Sequence, residues 1–234
     1  MSLQSQDMKI SPDGAVAQSP LKKGEQARIT ILEATRELVA LKGPHATTVR
    51  DITEASGANV AAVNYYFHSK EELVRQAMTS ITDALNAARL ARLRSYEVAA
   101  QGQALAPEDI LRALIEPVAE VSRARDGGSL YLRMIYQMRI NPQDRFAQEA
   151  FDRNDHVAQA FLDAMGKTFA KVSREEIIWR YEFARGASIH MLADLDPLVR
   201  RMETLGHGAV STSKTLSPEV FTRVIALLMG GFAA

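Results

Sequence analysis

The 234-residue chain contains no cysteine, which excludes a disulfide framework, a thiolate metal site and a cysteine nucleophile. It also has no surplus of either charge: 28 Lys and Arg balance 28 Asp and Glu, and the pI is near 7.0. Coating nucleic acid without regard to sequence needs many cations along the phosphate backbone, so any DNA binding here must be selective. Long hydrophobic runs are missing as well. The longest nearly apolar run, 224–234, is too short to span a bilayer. The first residues lack a basic start followed by an apolar stretch, so no secretory signal is expected. Residues 1–22 read as a disordered tail, and the expected location is cytoplasmic. No paired-carboxylate, phosphate-loop or nucleophile motif is present, so the expectation is that the chain is not an enzyme and uses no cofactor.

What is present is apolar material at helical spacing. Hydrophobic residues make up 47% of the chain and charged ones 24%, ample for one or two domains with a proper core. Residues 23–42 carry Ile29, Ile31, Leu32, Ala34, Leu38, Val39 and Leu41 in an amphipathic helical pattern that Gly43 and Pro44 end.

The stretch 47–73, TTVRDITEASGANVAAVNYYFHSKEEL, carries the clearest organisation. Thr48 is placed to cap a short helix, with Asp51 in the capping-box position, and Gly57 to end it in a left-handed turn. Asn59 then caps a second short helix, and Ser69 with Glu72 caps a third. Helix, turn, helix is the reading, with Val49, Ile52, Ala55, Val60, Val63, Phe67 and Leu73 expected to share a small core.

With those residues inward, Ala61, Ala62, Asn64 and Tyr65 fall on the opposite side, where small side chains permit close approach to a DNA major groove. Asn64 is suited to an adenine edge and the two alanines to thymine methyls. Thr47, Thr48, Arg50, Tyr65, Tyr66 and Lys70 are suited to phosphates, by hydroxyl or by charge. Residues 22–70 hold no strong basic patch, and a helix-turn-helix can also be plain packing within a helical domain.

TTVRDI, ASGAN and VNYYFHSKEEL, in that order and spacing within residues 24–78, resemble the DNA-binding domain of the TetR family of bacterial transcription regulators. The resemblance implies that the reading helix runs from Asn59 to Tyr66 and that Thr48, Tyr65, Tyr66 and Lys70 hold phosphates. Many members carry tyrosine at the position of Asn64, a departure that bears on base preference rather than on fold.

The remaining chain reads as helical throughout, so the expected fold class is all-α. The organisation expected is a tail over 1–22, a helix-turn-helix DNA-binding domain over 23–70, a connecting helix over 71–96 and a helical regulatory and dimerisation domain over 97–234. Arg89, Arg92 and Arg94 read as a solvated helix end where cations suit the dipole. Pro117 is expected to bend or break a helix, Asn141 and Pro142 to open one, and 206–217 to form a polar loop.

Two late helices have apolar residues on more than one side: 177–192, from Ile177 to Leu192, and 218–232, from Pro218 to Phe232. By resemblance to the family, two late helices of each subunit form a four-helix homodimer interface, and these two are the candidates; a monomer with a thick core is the alternative. The family also implies a small-molecule effector pocket in this part. Tyr131, Met134, Ile135, Met138, Phe151, Phe161, Trp179, Phe183 and Met191 are candidates to line it, with ordinary core as the competing role of each, and an apolar or amphipathic ligand is expected. His190 and Asp194, four apart, read as a buried histidine with a core hydrogen bond in preference to half a metal site. The functional expectation is a repressor released from operator DNA by a small molecule, with a DNA-bound interaction protein lacking a ligand as the alternative.

Overall fold

The computed structural model describes residues 23–121, 123–140, 143–207, 209 and 217–233. The tail expected over 1–22, the Asn141–Pro142 helix start and most of the polar loop over 206–217 lie outside them. The described residues form helices and no named strand: α1 Lys23–Lys42, α2 Val49–Ser56, α3 Val60–Phe67, α4 Lys70–Ala99, α5 Pro107–Ile115, α6 Pro117–Glu120, α7 Leu130–Ile140, α8 Arg145–Thr168, α9 Arg174–Ala193, α10 Arg201–Leu205 and α11 Pro218–Phe232. The fold is all-α.

Local chemistry sets the boundaries. α1 stops at Gly43, whose φ of +83° suits a residue without a side chain, and a Cβ there would stand 2.9 Å from Gln137 Oε1. Pro117 splits what would be one helix into α5 and α6, because its ring has no N–H to give and crowds the preceding turn. Asp144 caps α8, its carboxylate accepting from the amides of Phe146 (2.8 Å) and Ala147 (3.4 Å). Ser173 and Ser217 cap α9 and α11.

Two hydrophobic clusters result. The smaller joins Ile31, Ile52, Val63, Phe67 and Leu73 from α1, α2, α3 and the start of α4. Phe67 is completely buried there, so its loss would cost about 3–5 kcal/mol. The larger draws on α4 through α9 and on α11, with Phe161, Met165, Ile110, Leu111 and Phe232 deep inside. α1 belongs to both. Ile31 lies in the small cluster, while Val39 and Ala40 lie in the large one. The Arg125 amide also donates to Glu37 Oε1 (3.2 Å). α4 is shared in the same way, with Leu73 in the small cluster and Val74, Met78, Ile81, Leu85 and Leu93 in the large one.

Of the three arginines expected at a solvated end of α4, Arg94 is exposed as expected, whereas Arg89 and Arg92 depart from it. Arg89 is only 7% exposed and donates through Nε to the Leu114 carbonyl (2.8 Å). Arg92 binds Glu116 (2.6 Å) and Glu120, tying α4 to α6. α5 and the Tyr131 ring of α7 cover Arg89, and the chain from Glu116 into α6 partly covers Arg92. His190 departs in the opposite sense: its side chain is exposed, with Nδ1 3.2 Å from the Tyr136 hydroxyl and Nε2 3.9 Å from Asp194. α9 turns that side outward, so the buried-histidine reading fails. Among the described residues no group of three or more His, Asp or Glu is placed to hold a metal ion.

Candidate nucleic-acid interface and interior cavity

α2 is opened by a complete capping box. Thr48 Oγ1 accepts from the Asp51 amide (3.1 Å), and the Thr48 amide donates back to Asp51 Oδ2 (2.9 Å). Lys42 Nζ lies 2.8 Å from the other carboxylate oxygen. Hydrogen bonds from Lys42 and Thr48 lower the Asp51 pKa to about 2. Gly57 takes the left-handed conformation that ends α2 (φ +69°). Asn59 then caps α3 by accepting from the Ala62 amide (2.8 Å). A tight turn separates α3 from α4: His68 has φ +65°, and the Ser69 amide donates to the Phe67 carbonyl (2.7 Å), a strained geometry rare for a residue with a side chain.

This frame fixes what α3 presents. Asn59, Ala61, Asn64 and Tyr65 are exposed, Tyr65 most of all at 77%. Tyr66 is half-buried against the small core and meets Tyr65 edge to face, ring centroids 5.0 Å apart. Arg50 is exposed on α2 and pairs with Glu54 (2.8 Å), and Lys70 is half-buried at the start of α4. Ala62 is half-buried and partly belongs to the small core.

Three expectations are corrected. Thr47 is fully buried and gives its hydroxyl to the Gly43 carbonyl (2.8 Å), so it is turned away from any phosphate. It lies one residue before the cap, on the chain that closes the α1–α2 turn. Val60 is 51% exposed rather than inward. As the first residue of α3 it precedes the turn that Val63 anchors, and it stands beside Asn64 on the outer face. Ala55 is exposed too. Val60 and His68 therefore share the exposed side with Asn59, Ala61, Asn64 and Tyr65. The N1 position of Val60, directly after the cap, is the signal that could have shown it.

Between α4, α7, α8 and α9 lies a cavity of about 160 Å³ that reaches the surface where Asp155 and Glu182 are exposed. Its lining includes Asn86, Arg89, Tyr131, Ile135, Met138, Asn154, Tyr181 and Arg185. Asn86 Nδ2 donates to Asn154 Oδ1 (2.5 Å). Burial pushes the Tyr181 phenol up, so it stays protonated at neutral pH. Of the residues expected to line a pocket, Tyr131, Ile135 and Met138 do so. Met134 and Phe161 are buried elsewhere in the core, Met191 is half-buried, and the side chain of Phe151 is outside the described atoms. Trp179 and Phe183 are corrected: they lie on the outer side of α9, 67% and 47% exposed, because the inward side is taken by Ile177, Tyr181, Ala184 and Ser188.

A second, smaller cavity of about 140 Å³ lies between the α1–α2 turn and the helices beneath it. His45, Met78, Gln137, Asp144 and Met138 line it, so Met138 borders both spaces. His45 Nε2 pairs with Asp144 Oδ2 across it. Burial would raise the Asp144 pKa, but His45 and the two capping amides outweigh it and hold the carboxyl below its ordinary range.

Comparison with known proteins settles the family. Residues 112–231, just over half the chain, match the family described as "Tetracyclin repressor-like, C-terminal domain", and residues 31–77 match "Bacterial regulatory proteins, tetR family". The chain belongs to the TetR family. It is thus a DNA-binding transcriptional regulator and not an enzyme; members of the family bind operator DNA and are dimers. The chain is 41% identical over 61 residues to the HTH-type transcriptional dual regulator CecR of Shigella flexneri, a match over 26% of this chain. It spans 27% of the length of that relative. In fold it is similar to Salmonella enterica GusR (TM-score 0.51, 14% identity, 92% of this chain and 100% of that one). It is likewise similar to a TetR-family transcriptional regulator from Rhodococcus sp. (TM-score 0.51, 16% identity, 87% and 99%). Among the described residues no helix of this TetR-family chain is long and apolar enough to cross a membrane.

Proposed function

We propose that this TetR-family regulator is a dimeric repressor that leaves its operator when a small molecule occupies the cavity between α4, α7, α8 and α9. The observation that carries this reading is the position of Met138. It borders the larger cavity and also the smaller one, where Asp144 meets His45 of the α1–α2 turn. A ligand that moves α7 or α8 thereby acts on the turn that holds α2. It shifts the equilibrium only to the extent that it favours the conformation that fits DNA less well.

On this reading Asn59, Val60, Ala61 and Asn64 meet the major groove, while Thr48, Arg50, Tyr65, Tyr66 and Lys70 hold phosphates. The division of labour proposed is 23–70 for DNA, 71–96 as connection and 97–234 for regulation and dimerisation. The dimer forms through α9 and α11, whose outer faces carry Ile178, Trp179, Phe183 and Leu227 at 43% to 67% exposure. Around Gly186 and Gly230 nothing stands within 4 Å of where a Cβ would be, which leaves room for close helix approach. A two-fold pair sets the reading helices about one DNA turn apart, roughly 34 Å. The location consistent with this role is cytoplasmic.

Fluorescence anisotropy with operator fragments selected from the host genome, repeated across a compound library, tests the reading. Release by a compound that also fills the cavity supports it. Indifference to every cavity-binding compound supports a DNA-bound interaction protein instead.

A further inference from the structure

We infer that the cavity between α4, α7, α8 and α9 is built for a small planar carboxylate of benzoate size, rather than for a neutral apolar ligand. This rests on the reading of the cavity as an effector site and names the chemistry it selects.

The ground is a buried guanidinium, that of Arg89, without a carboxylate partner among the described residues, beside a second arginine with one donor left over. Arg89 is 7% exposed and lines the cavity. Its Nε is used by the Leu114 carbonyl at 2.8 Å, its Nη1 reaches Asn86 Oδ1 only at 3.5 Å, and its guanidinium lies over the Tyr131 ring at 5.4 Å. Among the described residues no carboxylate pairs with it. Arg185, also in the lining, binds Glu182 through Nη2 (2.5 Å), but its Nε is buried without an acceptor. Removing a guanidinium from water is costly unless an anion compensates it, and a buried donor without an acceptor adds to that cost. A planar carboxylate answers both, because its two oxygens match the arginine fork.

Size and polarity set the rest of the ligand. About 160 Å³ is close to the apolar cavity volume of about 150 Å³ that admits benzene. Ile135, Met138, Val157 and Ala158 supply an apolar wall for a ring. Glu182 and Asp155 also line the space, and their charge disfavours a dianion more than a monoanion.

Titration calorimetry of the full chain with benzoate, benzamide and phenyl phosphate, in a zwitterionic buffer free of other carboxylates, tests this. Benzoate is expected to bind at least roughly tenfold more tightly than benzamide, its neutral counterpart of the same shape, since the charge-assisted bonds are lost. Phenyl phosphate is expected to bind more weakly than benzoate. Arg89→Met should abolish the preference, and the wild-type comparison stands even if that variant does not fold. Equal binding of benzoate and benzamide, binding of neither, or a preference for phenyl phosphate overturns the inference. Operator affinity measured alongside separates the two readings. Benzoate that binds without releasing DNA keeps the anion site and removes the effector role; benzamide that releases DNA as well as benzoate does the reverse.

Discussion

His45 on the α1–α2 turn and Asp144 at the N-cap of α8 are in direct contact, 99 residues apart in sequence, and Asp144 serves the contact and the cap with different carboxylate oxygens. The two roles can be separated by mutation. Asp144→Ala should cost about 1 kcal/mol through the lost cap, whereas His45→Ala, which leaves the cap intact, should cost under about 0.5 kcal/mol. Urea melts read both. If the mechanism proposed above holds, each variant also weakens the effect of ligand on operator affinity, and an undiminished ligand response in His45→Ala would remove this contact from the pathway.

Acid should loosen the start of α2 in a defined window. The Asp51 carboxyl is held at about 2 against an ordinary 3.8, so its lowered pKa stabilises the fold fully above 3.8. That contribution is lost as pH falls from 3.8 through about 2. Wild type should therefore melt above Asp51→Asn at pH 7, with the gap closing towards pH 2. A gap that persists unchanged in acid would show that the ionised carboxylate is not the source.

Thr47→Val should lower stability by about 1–2 kcal/mol, since it leaves the buried Gly43 carbonyl without its hydroxyl partner. Operator affinity per folded molecule should be unchanged. Weaker operator binding at full stability would place Thr47 on the DNA after all.

Base and phosphate contacts should part company under mutation. Asn64→Ala is expected to relax preference at one base position by about 1–3 kcal/mol if the contact is bidentate. Lys70→Ala should weaken all sequences alike and reduce the salt slope by about one. Binding-site selection and salt titration of both variants decide it; matching behaviour would dissolve the distinction.

The outward faces of α9 and α11 make a prediction about assembly. Trp179→Glu together with Leu227→Glu should convert a dimer to a monomer by light scattering, with helix content by circular dichroism retained, because both side chains are exposed in the single chain. A dimer that survives the double change would move the interface elsewhere.

The fold was legible where short-range chemistry decides it. Thr48, Gly57, Asn59 and Ser69 are caps and stops that act within four residues, and each stands where its side chain or backbone freedom requires. Legibility failed where a second segment decides. Thr47 is buried by the turn that carries Gly43, Arg89 is covered by α5 and by Tyr131 of α7, and Trp179 faces outward because Tyr181 and Ala184 take the inner side of α9. A helical period gives a stripe but not which neighbour covers it, and α9 is apolar on enough sides that period alone cannot orient it. The arginines of the cavity were missed for the same reason: a lone cation on a helix reads as solvated until its neighbours are known.

Met138 stands in the wall of two separate spaces, one amid the helices and one under the turn that steadies α2. A change of its bulk resizes both rooms at once. A lineage adapting to a new signal molecule by altering this side chain would retune its response on DNA in the same step, so the specificity and the sensitivity of the switch are inherited together.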